Sequence, residues 1–130
     1  MAIDNCVCCQ GETGSPCDSS VTPPTCRGVE LPVSLTMLVT DKTGTCTCYG
    51  DSYVLTLSGG AWFAATEACP GSGEIPRLEC VSGDWLLSIG GTESVFAITA
   101  NCDPFQLTFQ VTHGDIVCTG SINVLIVETP

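Results

Sequence analysis

The sequence predicts an all-β fold, an antiparallel β-sandwich or jelly-roll-like domain of about seven to nine strands preceded by an irregular cysteine-rich arm. Three observations predict it. From Leu31 onward apolar residues recur with period two in one short stretch after another. Glycine-, asparagine- and aspartate-bearing turns separate those stretches. No segment carries a helical period, and no short repeat suggests a solenoid or propeller. At 130 residues the chain fits one domain, large enough to bury about two-thirds of its unfolded surface.

Residues 1–28 stand apart as the arm. They hold Cys6, Cys8, Cys9, Cys17 and Cys26, spaced by Gly11, Gly14, Pro16, Pro23 and Pro24. Without apolar periodicity, such a segment is ordered only by cross-links or a partner surface. The β domain is read over residues 29–130.

Its first strand follows Leu31, where Leu31, Val33, Leu35, Met37 and Val39 alternate with mostly polar neighbours. Pro32 suits the start of that strand or a sheet edge. Lys42-Thr43-Gly44-Thr45 reads as a turn. The clearest hairpin spans residues 53–66 about Gly59-Gly60, two residues able to supply the positive φ of a primed turn. Its register sets Leu57 opposite Trp62 and Leu55 opposite Ala64 on one face, and Thr56 opposite Phe63 on the other. A second hairpin spans residues 77–89, turning on Ser82-Gly83 or Gly83-Asp84. Both registers keep Leu78, Cys80, Trp85, Leu87 and Ile89 on one face. Residues 94–99 form another strand, and residues 101–104 a turn. Phe105, Leu107, Phe109 and Val111 then mark a half-buried strand, which ends at a turn over His113-Gly114-Asp115. In the last strand Ile122, Val124 and Ile126 share one face, and Leu125 and Val127 the other, so it is read as central or covered on both sides.

The composition excludes several function classes. Asp and Glu number 14 against 3 Lys and Arg, for a formal charge of −11. Arg27, Lys42 and Arg77 are the only fixed positive charges, so the surface repels nucleic-acid phosphates and anionic membranes. No apolar run approaches the ~20 residues that span a bilayer. The acids are scattered, with no calcium loop of EF-hand spacing.

Cysteine carries the remaining chemistry. Eleven in 130 residues is the density of a disulfide scaffold or a metal site. Met1-Ala2-Ile3-Asp4-Asn5 has no basic, apolar or cleavage region of a leader. The expectation is a leader removed upstream, or exit from the cell by a route other than secretion, such as lysis. Cys46, Cys48, Cys69, Cys80, Cys102 and Cys118 are the disulfide candidates of the β domain. Cys102 with Cys118, and Cys69 with Cys80, are plausible pairs, each worth about 3 kcal/mol of loop entropy. Cys46 and Cys48, two apart on a presumed strand, would seek different partners. The arm's five cysteines, Cys6, Cys8, Cys9, Cys17 and Cys26, are the candidates for inter-subunit links. The odd total means that at least one cysteine is free, metal-bound or paired with another chain. Cys6, Cys8 and Cys9 beside Cys46 and Cys48 could form a thiolate zinc site; otherwise no cofactor is expected.

No catalytic residue stands out. His113, the one histidine, reads as an exposed turn residue, not the base of a nucleophile pair. Gly59-Gly60 and Gly90-Gly91 lack the helix and lysine of a phosphate loop. Trp62 and Trp85 could stack on sugars, but both fall on predicted core faces.

The β region resembles small cysteine-rich β-sandwich proteins of bacterial and phage-like gene sets, over residues 29–128. The resemblance rests on Leu31-Pro32, on Gly59-Gly60 with Trp62, and on the hairpin from Leu78-Glu79-Cys80 to Gly83-Asp84-Trp85. Cys102-Asp103-Pro104-Phe105 and Cys118-Thr119-Gly120 complete it. It implies a structural role and no catalytic residues. The expectation is a non-enzymatic protein that assembles with copies of itself or with other particle proteins. The favoured setting is a virion, as capsid decoration or tail component, reached after cytoplasmic assembly. An extracellular filament or surface-layer subunit is the second reading, and a carbohydrate- or ligand-binding module the third.

Overall fold

The computed structural model describes residues 16–69, 73–89, 93–102, 104–113 and 118–130. Among them are nine strands: β1 (Ser34–Lys42), β2 (Ser52–Ser58), β3 (Ala61–Ala64), β4 (Pro76–Val81), β5 (Asp84–Ile89), β6 (Glu93–Phe96), β7 (Thr99–Cys102), β8 (Phe105–His113) and β9 (Gly120–Glu128). All pair antiparallel in one sheet, in the order β6-β5-β4-β3-β2-β1-β9-β8-β7. The protein is thus all-β, but its described strands do not divide into the two stacked sheets of a sandwich or jelly roll.

The sheet is strongly curled, and the chain itself brings its ends together. Its outermost strands, β6 and β7, are consecutive, with only Ala97-Ile98 between them. Ala97 N–H donates to the Trp85 carbonyl on β5 at 3.0 Å, and Ile98 N–H to the Thr108 carbonyl on β8 at 2.8 Å. One predicted strand, residues 94–99, is therefore two short ones that pass from one end of the sheet to the other. The place where the two ends meet is a seam.

Alternation along each strand fills the concave side, as period two requires. Leu35, Met37, Leu55, Trp62, Leu78, Trp85, Leu87, Ile89, Leu107 and Ile126 are fully buried there. Trp62 and Trp85 meet edge to face at 5.9 Å, and Trp85 meets Phe105 likewise at 5.8 Å. The first hairpin has the predicted register, Leu57 opposite Trp62 and Leu55 opposite Ala64. Of its two turn glycines, Gly59 alone takes positive φ, at 66°. The second hairpin turns on Ser82-Gly83, since Val81 pairs with Asp84. Thr40 is the extra residue of a bulge between β1 and β9, where Asn123 faces Asp41 and Val124 faces Val39.

Cys46–Cys48 forms a short 3-10 helix, not the expected strand. Thr43-Gly44-Thr45 before it clasps Thr119-Gly120-Ser121. Thr45 N–H donates to the Thr119 carbonyl and Thr119 N–H to Thr45 Oγ1, at 2.8 and 2.7 Å. Thr43 N–H donates to the Ser121 carbonyl and Ser121 N–H to Thr43 Oγ1, at 2.9 and 2.8 Å. The two glycines sit where the backbones cross. A Cβ on Gly44 would overlap the Thr119 carbonyl oxygen, and a Cβ on Gly120 the Thr43 carbonyl oxygen.

Candidate functional site

Among the described residues four disulfides close the two ends of the curled sheet. At the lower end, beside the β2–β3 and β4–β5 turns, residues 16–33 form a strap. Cys17 bonds Cys80 near the end of β4, and Cys26 bonds Cys102 at the end of β7. Cys17 and Cys26 are themselves buried. Asp18 N–H donates to the Thr25 carbonyl at 2.9 Å, and Cys26 and Val29 exchange backbone bonds at 2.9 Å. The indole Nε1 of Trp62 donates to the Pro32 carbonyl at 3.1 Å and ties the strap to the aromatic layer beneath it. At the upper end Cys46 bonds Cys118 beside the clasp, and Cys48 bonds Cys69.

These bonds correct the sequence-based pairing. Neither Cys102–Cys118 nor Cys69–Cys80 forms. β8 lies between Cys102, at the lower end, and Cys118, at the upper end; most of β4 likewise separates Cys69 from Cys80. At about 3.3 Å per residue such cysteines are too far apart for the ~4.4–6.8 Å Cα separation of a disulfide. The observed pairs have Cα–Cα distances of 5.0 to 6.1 Å. Cys17 and Cys26 were expected to reach another subunit, and instead they belong to their own subunit's fold. Cys46 and Cys48 do take different partners, but as bridged sulfurs they are not thiolates, which removes them from the imagined zinc site. No cysteine is free among the described residues. Cys6, Cys8 and Cys9 lie outside them.

The upper end is finished by two tyrosines. Tyr53 O–H donates to the Ala68 carbonyl at 2.6 Å and accepts from Gly50 N–H at 2.7 Å. Lys42 Nζ donates to the Tyr49 carbonyl at 2.8 Å and sits 3.4 Å from Asp51. Burial, with the negative field of Tyr53 and Glu74, pushes the Tyr49 phenol well above its ordinary value. Tyr53 is raised for the same first reason, burial, with Gly50's bond opposing it.

Open clefts lie outside the sheet. One of about 440 Å³ separates the strap from the β4–β5 turn and is lined by Asp18, Ser19, Ser20, Arg27 and Ser82. Arg27 and Ser82 both hold positive φ in tight turns, at 49° and 53°. Hydrogen bonds from Ser20 hold the Asp18 carboxyl below its usual range. A second cleft, of about 380 Å³, lies beside Tyr53, Thr66 and Glu67. In the first cleft the Ser20 hydroxyl donates to the exposed Asp18 carboxylate at 2.5 Å, a bond within its own turn. Among the described residues no three His, Cys, Asp or Glu side chains are grouped to hold a metal. His113 is the last residue of β8, its backbone opposite Gly120; Gly114 and Asp115 of the predicted turn lie outside the described residues. Trp62 and Trp85 are both 0% exposed, so neither offers a sugar-stacking face.

The seam carries a feature that alternation alone obscured. Phe96 and Ile98 are 56% and 67% exposed, while Val95 and Ala97 between and beside them pack on the core. Leu86, the cross-strand partner of Phe96, is half-buried. The larger residues thus point outward and the smaller inward. That inversion is present in the sequence Val95-Phe96-Ala97-Ile98, but it identifies a surface patch only once the strand's inner face is known.

Comparisons with protein-family models, curated proteins and solved structures return no match to this chain. Four disulfides indicate an oxidising setting, extracellular or secreted. No described helix is long and apolar enough to cross a membrane.

Proposed function

We propose that the protein is a non-enzymatic building block that assembles with copies of itself or with neighbouring proteins outside the cell, as part of a virion shell or tail. The observation that carries this reading is a body filled with side chains, fastened by sulfur at both ends, with large apolar groups left on its outside. The concave side is occupied by Trp62, Trp85, Phe109 and their neighbours, which leaves the outer surface as the place for recognition. Val33, Val54, Phe96 and Ile98 are each more than half exposed there. Disulfides spanning 63, 76, 72 and 21 residues resist unfolding in a place without chaperones. A charge of −11 keeps such a surface from adhering to nucleic acid and cell debris.

The test is assembly of the oxidised protein, followed by light scattering and negative-stain electron microscopy. Closed shells or tail-like particles, formed alone or with a co-purifying neighbour, are the expected outcome. Long open polymers would favour the filament or surface-layer reading. A monomer at every concentration and with every neighbour offered would end the assembly reading.

A further inference from the structure

The outer face of the sheet is not uniform. Over four neighbouring strands, β2, β1, β9 and β8, it is nearly free of charge. The only Asp, Glu, Lys or Arg in those strands are Asp41, Lys42 and Glu128, each at or next to a strand's end. Pairing sets the outward side chains in rows. Val54, Thr36, Val127 and Gln106 make one row, and Ser52, Leu38, Leu125 and Thr108 the next. Val54 is 51% exposed, and Leu38, Leu125 and Val127 are half-buried. These side chains are the second apolar face of β1 and β9, on the side away from the core. The hydroxyls among them are bonded to one another. Ser34 Oγ and Thr36 Oγ1 each share a bond with Thr129 Oγ1 at 2.9 Å, and Thr40 Oγ1 donates to the Asn123 carbonyl at 3.2 Å. Covering them costs less than covering unpaired hydroxyls. Farther round the sheet the outer face is charged, with Arg77 and Glu79 paired at 3.0 Å on β4.

We infer that a second copy of this chain packs its own charge-free face on this one, sheet against sheet; the inference deepens the assembly reading and rests on it. Charge selects the occupant. A basic partner would be drawn to the acids of a protein of −11, and the rows of this face offer none. Two copies repel through those same acids, and like charges set against each other cost affinity. The approach that keeps the acids of both copies apart is the one through the charge-free face. Leucine, valine and bonded hydroxyls set against the same groups suit both sides at once, as a two-fold contact requires. Sheets packed in this way stand about 10 Å apart.

The size of the face sets the strength of the contact. Four strands about 4.8 Å apart, each with three outward residues at intervals of about 6.7 Å, cover roughly 400 Å². The curl bends the flanking strands away from a partner on this convex side. A stable interface takes about 800 Å² from each partner, so one contact of this size is weak, with a dissociation constant on the order of 100 μM. Within an assembly the neighbouring contacts raise its effective concentration, and it is then populated.

The experiment is sedimentation of the oxidised full chain over a range of concentrations up to ~1 mM, beside Leu125→Lys, Val54→Lys and Val81→Lys. All three variants change the net charge equally, but Val81 lies on β4, outside the face. Thermal unfolding checks that each is folded. The full chain is expected to dimerise reversibly, and at least about tenfold more weakly in ~20 mM than in ~200 mM salt, because salt screens the repulsion of the acids. Leu125→Lys should weaken the dimer at least about thirtyfold and Val54→Lys at least about fivefold, while Val81→Lys stays within about twofold. If Leu125→Lys does not fold, Val54→Lys decides. A dimer that weakens as salt rises overturns the inference, as does one that survives the face variants or is lost equally in Val81→Lys. Binding of a co-purifying neighbour through this face, in place of a second copy, overturns it too. If large particles form equally well from the folded face variants, the second-copy contact fails and the assembly reading stands; a monomer in every preparation, with every neighbour offered, removes both.

Discussion

Cutting the Cys26–Cys102 bridge tests the account of the lower end most directly. The perturbation is Cys26→Ala with Cys102→Ala, leaving the other bridges in place. The sequence separation is 76 residues, but the relevant loop is shorter, because the Cys17–Cys80 bond already joins the same regions. From Cys26 back to Cys17, across to Cys80 and on to Cys102 is about 31 residues. Loop-closure entropy for a ring of that size is about 12 cal/mol/K, or about 3.7 kcal/mol at 25 °C. Cys26 is fully buried, so emptying its site costs roughly 1 kcal/mol more. A total of about 4–5 kcal/mol is a large share of a typical stability. With an unfolding entropy of about 0.27 kcal/mol/K for a chain of this size, it lowers the melting temperature by about 15–18 °C. Guanidinium and thermal unfolding under non-reducing conditions measure it. Hydrogen exchange at Cys26 and Val29, whose amides bond each other's carbonyls, should accelerate in step. A loss below 1 kcal/mol, with those amides still protected, would refute the idea that this bridge holds the strap to the core.

Other perturbations probe the clasp, the core and the tyrosine end. Gly44→Ala and Gly120→Ala each drive a methyl group into a facing carbonyl at positive φ. Each should cost at least about 3 kcal/mol or prevent folding, whereas Gly60→Ala, with open space around it, should stay within about 1 kcal/mol, as read by denaturant midpoints. Trp62→Phe loses the bond to Pro32, whereas Trp85→Phe removes an Nε1 that has no acceptor among the described residues. Equilibrium unfolding should therefore find Trp62→Phe the costlier by about 1 kcal/mol. In a 295 nm titration of the chain's two tyrosines, neither should ionise at the ordinary phenol value while the protein is folded. Raised folded-state values mean that their contribution is complete below pH ~10 and is lost as pH rises toward the folded value. Stability should accordingly fall in alkali, and both tyrosines should ionise together with unfolding. A native titration near pH 10 would contradict the buried placement of Tyr49.

Strand content and hairpin register were legible in the sequence because both are local. Alternation places Phe105, Leu107, Phe109 and Val111 on one face whatever the sheet does, and a two-residue turn ties Leu57 to Trp62. The Ser82-Gly83 turn needed only the choice between two registers that share a buried set. The clasp was visible merely as two turn-like segments, Thr43-Gly44-Thr45 and Thr119-Gly120-Ser121. Their mutual bonds join residues more than seventy positions apart.

By itself the sequence determined a cysteine-rich, acidic, all-β chain and the inward face of nearly every strand, since each follows from spacing along the backbone and from side-chain chemistry. Tertiary structure alone decided that the strands make one curled sheet, not two stacked ones. It also decided that Cys17 and Cys26 close their own subunit's lower end, and that Phe96 and Ile98 face outward at the seam. The physical reason is that curvature and sulfur pairing depend on distances between segments remote in the chain. A disulfide forms only where two Cα atoms come within about 7 Å, and no local pattern of residues encodes that proximity.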